Sequence, residues 1–218
     1  MTKVPFPLRK HNESAEAFFH SGRRAVQKTR TTRVDWKKAK ICWEKAAAVG
    51  HARAAYNLGV IYDRGVSGVR RNYQQAERFY RQAAHAGHAS AQYNLALFYR
   101  DGVGVKKSPW VAAYWLEESA KSGLADAQRD LAVMLHDGKG IAANPKKAVR
   151  LYRLAAKSHD ASSIFNLALC YREGSGVARS PREFRRYLQK AVKMGHLKAT
   201  RLWMRLKKEP KSRRKTSG

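Results

Sequence analysis

Apolar and polar positions recur along this chain with a fixed period, and inside each period they follow the spacing of two helices. In AQYNLALFYRDG, Ala91, Leu95 and Tyr99 fall at i, i+4 and i+8, one apolar stripe of an amphipathic helix. The same text returns as AAYNLGVIYDRG from Ala54, AQRDLAVMLHDG from Ala127 and SIFNLALCYREG from Ser163. Leu95, Leu131 and Leu167 are 36 residues apart, and Leu58 precedes Leu95 by 37 because Ser67 lengthens its loop. A period of this length marks a repeat array.

A second helix follows each first one. Ala112, Trp115, Leu116, Ser119 and Ala120 have counterparts in Ala76, Phe79, Tyr80, Ala83 and Ala84, and in Ala148, Leu151, Tyr152, Ala155 and Ala156. Small residues at matched positions let two backbones approach, and the large one fills the space beside them. Glycines in DGVGV, Asp101 to Val105, stop the first helix and turn the chain. Ser108-Pro109, Asn144-Pro145 and Ser180-Pro181 start the second helix with a capping side chain and a residue that needs no amide donor. Gly87, Gly123 and Gly195 end it; His159 stands where the fourth glycine is expected, so that turn should be less ideal.

The pattern A-x-x-x-L-G-x-x-Y-x-x-G-x-G-V, followed by P-x-x-A-x-x-W/Y-x-x-x-A-A-x-x-G, resembles the Sel-one-like repeat, a short relative of the tetratricopeptide repeat. The resemblance covers roughly Ala17 to Met204. It implies an all-α fold: a right-handed α-solenoid of about five helix-turn-helix repeats that binds other proteins and carries no shared catalytic residues. Units open near residues 17, 54, 91, 127 and 163, and a C-terminal cap helix spans 199–206. In the first, degenerate unit Ala17 aligns with Ala54, Gly22 with Gly59 and Trp36 with Tyr73; its linker has lost the glycines, so its first helix is expected to run longer. Residues 1–16 read as a leader and 207–218 as a basic disordered tail with no apolar residue to bury.

Charge changes the picture. The chain has 45 Lys+Arg against 16 Asp+Glu, a formal net charge of +29, a balance that favours acidic partners. No apolar run suits a signal peptide or a membrane span, so a cytoplasmic location is the simplest expectation; Glu13 and Glu16 argue against an organelle transit peptide. Cys42 and Cys170 both fall at otherwise apolar helix positions and are expected to be inert core thiols.

No catalytic set emerges. The histidines lack metal-ligand spacing, with His51, His88 and His196 simply following helix-ending glycines. GVGV follows a helix and lacks the ending of a phosphate loop. No serine opens a helix in the S-x-x-K setting of a penicillin-binding enzyme. Neither a cofactor nor a metal is expected.

Binding is the better-supported chemistry. If the first helices line a concave groove, as the resemblance implies, they present Tyr56, Val60, Asp63 and Arg64, then Tyr93, Leu97, Arg100 and Asp101. The third unit adds Arg129, Val133, His136 and Asp137, and the fourth Phe165, Leu169, Arg172 and Glu173. Apolar anchors flanked by aromatic and Arg side chains suit a peptide or helix from another protein. Asparagine often stands in carboxylate-clamping relatives where Val60, Leu97, Val133 and Leu169 stand here, so a carboxylate clamp is not expected. Asn57, Asn94 and Asn166 recur at one position, where a hydrogen bond between units accounts for them. Arg70, Arg71, Lys106, Lys107, Lys146, Lys147, Arg182, Arg185 and Arg186 are expected to form an anion-binding surface on the outer face. The resulting expectation is a non-enzymatic adaptor or scaffold whose concave face holds a peptide or helix of another protein, with the basic outer face attracting acidic partners; the alternative is a protein that binds RNA or DNA phosphates through that surface and the tail.

Overall fold

The computed structural model describes residues 6–27 and 34–208, and within them the chain is an all-α repeat solenoid. Helices α1 (Phe6–Val26) and α2 (Trp36–Ala48) form the first pair, then α3 (Ala52–Arg64) with α4 (Tyr73–His85) and α5 (Ala89–Asp101) with α6 (Pro109–Lys121). The later pairs are α7 (Ala125–Asp137) with α8 (Pro145–Lys157) and α9 (Ala161–Glu173) with α10 (Pro181–Lys193), followed by α11 (Leu197–Lys208). Every helix from α2 to α10 has 13 residues. The chain divides into two compact units, residues 1–115 and 116–218, with the division inside α6.

The starts of the second helices follow the sequence expectation. Asn72, Asn144 and Ser180 accept the amides of Gln75, Lys147 and Glu183 at 3.0, 2.9 and 3.2 Å, and Ser108 accepts that of Val111 at 3.4 Å. Each side chain satisfies one of the donors that a helix start leaves unpaired. At the ends, Gly50, Gly87, Gly123 and Gly195 take φ between 77° and 86°. His159 adopts the same left-handed conformation at φ 61°, so a side chain sits in a turn that prefers none.

The first two pairs each lock through one large residue of the second helix. A Cβ on Gly22 would lie 2.4 Å from the Trp43 ring, and one on Gly59 2.4 Å from the Tyr80 ring. Trp43 and Tyr80 occupy the same position of α2 and α4, and both are buried. The alignment of Gly22 with Gly59 therefore has a steric basis. Equivalent positions hold Ala132 and Tyr152 in α7 and α8 and Ala168 and Leu188 in α9 and α10, all buried, so the glycine is a feature of the first two pairs.

The first helix is longer than the others, but at its start. It ends at Val26 and extends upstream to Phe6, nine residues beyond Ala15, which is buried and stands in register with Ala52 at the start of α3. The linker that had lost its glycines largely falls outside the described residues, as do residues 1–5 and 209–218, which hold the beginning of the expected leader and most of the basic tail. Of the two cysteines, Cys170 is buried, and burial pushes its thiol up to about 11. Cys42 is only half-buried, which corrects the expectation of two core thiols: it lies between exposed Ile41 and the buried stripe of Ala39, Trp43, Ala46 and Ala47.

Candidate functional site

The residue following the helix-ending turn caps α3, α5, α9 and α11 through its side chain, but not α7, where it is Leu124. His51, His88 and His196 accept the amides of Ala54, Ala91 and Ala199 through Nδ1 at 3.1, 3.3 and 3.2 Å. The same imidazoles stack on an aromatic ring one first helix back. Phe19 and His51 have ring centroids 4.5 Å apart, Tyr56 and His88 4.5 Å, and Phe165 and His196 4.7 Å. Where α7 carries Arg129 at the aromatic position, the cap of α9 is Asp160, and the two form an ion pair at 3.1 Å. The histidines are thus structural, each serving as cap and stacking partner, and Arg129 is matched by Asp160; α7 departs from the pattern, its cap position being Leu124, which makes no side-chain cap hydrogen bond.

A cleft of about 590 Å³ opens between α1 and α3 within the first unit. Three of the groove positions read from sequence, Tyr56, Val60 and Arg64, line it together with Asn57. Phe19, Arg23 and Val26 of α1 form the opposite wall; Trp36 and Trp43 close one side, and Arg53, Ile61, Val66 and His88 complete the lining. The indole Nε1–H of Trp43 donates to the Phe19 carbonyl at 3.3 Å, which satisfies its polar atom and leaves the ring as wall. The lining contains no Asp or Glu. Glu16, on the same helix as Arg23, is engaged by His20 and His51.

Asn57 differs from its counterparts. Asn94 hydrogen-bonds the buried Tyr80 phenol, and Asn166 hydrogen-bonds the buried Tyr152 phenol. These are the bonds between units that the sequence position anticipates. Before Asn57 the corresponding residue is Trp43, whose one donor is already used. The Asn57 amide therefore has no partner among the described residues and stands in the cleft wall.

None of the remaining groove positions belongs to the lining of this cleft. On α5, Leu97 is half-buried and Arg100 pairs with Asp101 at 2.9 Å; Tyr93 lies on the same helix. In the second unit Val133 is exposed, whereas His136 is taken up by Asp137 and Ser175, both at 3.1 Å. Phe165 is buried under His196, Leu169 is half-buried, and Arg172 pairs with Glu173 at 2.8 Å while lying over the Phe184 ring.

The basic positions are exposed, with the exception of half-buried Lys147. Arg70, Arg71, Lys106 and Lys107 lie in the turns before α4 and α6, with Arg71 over the Tyr73 ring. In the second unit Lys146 and Lys147 open α8, and Lys147 pairs with Glu117 at 2.7 Å. Arg182, Arg185 and Arg186 lie on α10, where Arg186 pairs with Glu183 at 2.9 Å and Arg182 and Arg185 have no carboxylate partner among the described residues. Among the described residues no group of three or more His, Cys, Asp or Glu is placed to hold a metal ion, and no helix is long and apolar enough to cross a membrane.

A family model described as the Sel1 repeat matches residues 32–51, 52–88, 89–124, 125–160 and 161–196. The chain belongs to the Sel1 repeat family. Sel1 repeat arrays are helical scaffolds for protein–protein interaction. The structure is similar to that of a Sel1 repeat protein from Oxalobacter formigenes, with 25% identity, a TM-score of 0.77, and coverage of 91% of this chain and 79% of that one. It is also similar to c5321, a protective antigen of uropathogenic Escherichia coli strains with an SLR fold, at 30% identity and a TM-score of 0.78. That match covers 88% of this chain but only 42% of the antigen, so this chain spans less than half of its length. A Sel1 repeat protein from Klebsiella pneumoniae shares the fold at 19% identity and a TM-score of 0.52, over 92% of this chain and 99% of that one. No curated protein matches the sequence.

The sequence reading missed the α1 wall of the cleft. A signal for it exists: shifting the groove positions back by the 37 residues that align Gly22 with Gly59 lands on Phe19 and Arg23.

Proposed function

We propose that this Sel1 repeat protein is a non-enzymatic adaptor that holds a polypeptide segment of another protein against its first helices, with the cleft between α1 and α3 as the principal seat. The observation that carries this reading is the cleft itself. Its volume is in the range of built binding sites, its walls are mainly apolar and aromatic, and it has one amide without a partner. Apolar walls with a few placed polar groups are what a side-chain anchor and a neighbouring peptide bond require. The basic surface, represented by Arg182 and Arg185, would draw acidic partners at long range and lose that effect in salt.

A photoreactive residue at position 57 tests this. On irradiation in cells it should form a polypeptide adduct that the Val60→Asp variant abolishes, while the same residue at position 157, on the exposed end of α8, forms none. Equal adducts at both positions, or an adduct indifferent to Val60→Asp in a folded protein, would remove the cleft as the seat.

A further inference from the structure

The walls and rim of the cleft specify more than a generic guest. Arg23, Arg53 and Arg64 all line it, all are exposed, and none has a carboxylate partner among the described residues. They come from three places on two helices, α1, the start of α3 and the end of α3, so they surround the apolar surface rather than cluster on one side. Arg53 is held over the Phe19 ring, with its guanidinium carbon 5.8 Å from the centroid. Its positive charge also reaches His88, which burial chiefly, and Arg53 in addition, hold below the ordinary imidazole range. Positive potential therefore extends into the cleft and meets no negative charge in its lining.

Building on the cleft as a peptide seat, we propose that it takes an acidic peptide: a bulky apolar side chain seated among Trp36, Tyr56 and Val60, with flanking Asp or Glu side chains on Arg23, Arg53 and Arg64. The guanidinium fork suits a carboxylate, to which it donates two parallel hydrogen bonds. Asn57 offers a donor and an acceptor from one planar group, the complement of a peptide unit, and its siblings Asn94 and Asn166 are already committed to tyrosines. The aliphatic share of the wall, Val26, Val60, Ile61 and Val66, fits an apolar side chain better than a sugar–phosphate backbone.

Selection of random short peptides displayed on phage against the purified full chain provides the test. Enriched peptides should carry Asp or Glu flanking an aromatic or large aliphatic residue. The triple variant R23A/R53A/R64A should lose that enrichment, whereas R150A/R182A/R185A, which removes equal charge elsewhere, should keep it. Affinity of a selected peptide, read by fluorescence anisotropy, should fall roughly tenfold per arginine removed from the cleft, and Asn57→Ala should weaken it further. Both triple variants change exposed residues, and thermal melts establish that they fold. Enrichment of apolar peptides without acidic residues would overturn this proposal and leave the peptide seat standing. Equal loss in both triple variants would reduce the effect to bulk charge and overturn it as well. If no peptide is enriched, or if a single-stranded oligonucleotide proves to be the occupant, the proposal and the reading beneath it fall together.

Discussion

The imidazole of His88 lies nearly parallel to the ring of Tyr56, 4.5 Å away at an interplanar angle of 17°, while its Nδ1 accepts the Ala91 amide. One side chain thus caps α5 and ties it to α3. A lost cap costs about 1 kcal/mol, and an aromatic pair contributes about as much again. His88→Ala should lower the unfolding free energy by roughly 2 kcal/mol, and His88→Asn, which keeps the cap and loses the stack, by about half of that. Urea titrations of the three proteins measure both steps; an asparagine variant as stable as the native protein would show that the stack contributes nothing.

The same histidines make stability depend on pH. His88 and His196 are held below the ordinary imidazole range, in both cases chiefly by burial, with Arg53 and Lys198 adding to the effect. The unfolded chain therefore takes up protons at a pH where the folded one does not. Unfolding free energy should be constant above the unfolded imidazole value near 6.5 and fall as pH drops below it. Replacing both residues with asparagine should flatten the curve between pH 7 and 5. A curve unchanged by the double replacement would assign the dependence to other groups.

His159 holds φ 61° at a position where four other turns use glycine. The left-handed conformation costs a residue with a Cβ roughly 1 kcal/mol or more, part of which glycine returns as unfolded-chain entropy. His159→Gly should accordingly raise the unfolding free energy by about 0.5–1 kcal/mol. His159 is exposed, so no packing is lost. A lower melting temperature in the variant would contradict the account.

A Cβ on Gly59 would come within 2.4 Å of the Tyr80 ring, so a side chain there forces that ring to shift. Gly59→Ala should cost about 1–3 kcal/mol. The same positions accept two other buried combinations, Ala132 with Tyr152 and Ala168 with Leu188, and the second relieves the clash without requiring the ring to move aside. G59A/Y80L should therefore lose less than the sum of its single changes in a double-mutant cycle, even though Tyr80→Leu also strips Asp63 and Asn94 of their phenol. Strict additivity would mean that the two side chains do not meet.

The two thiols should separate chemically. Cys170 is buried with its thiol raised to about 11, so only on the order of one molecule in ten thousand is thiolate at neutral pH. A disulfide reagent should titrate Cys42 in the native protein and Cys170 only after unfolding. Rapid reaction of two thiols in native protein would show that the α9 core opens.

Much of this fold was legible in the sequence because its cues are local. Ser108, Asn144 and Ser180 each signal the helix that starts at the next residue, and the glycines after each helix mark the turns. The interlocking of pairs was legible only as an alignment: Gly22 and Gly59 matched, but the reason, a ring from a residue 21 positions later, needs the structure. The cleft was half legible. Tyr56, Val60 and Arg64 follow from the repeat register, whereas Phe19, Arg23 and Trp36 sit in a unit whose linker has lost its usual punctuation. Asn57 could not be told apart from Asn94 or Asn166 by its own position. What distinguishes it is a tryptophan 14 residues earlier where its siblings see tyrosine.

The matching of Tyr56 to His88, Arg129 to Asp160 and Phe165 to His196 has a bearing on how such arrays grow. Both members of each match fall inside one segment of the family register, 52–88, 125–160 or 161–196. A duplication or deletion cut at those borders carries lock and key in the same parcel, so a copied or excised module leaves no mismatched junction behind. A cut placed mid-segment would strand a ring opposite a carboxylate, and lineages built that way would have to mend the seam before they could lengthen again.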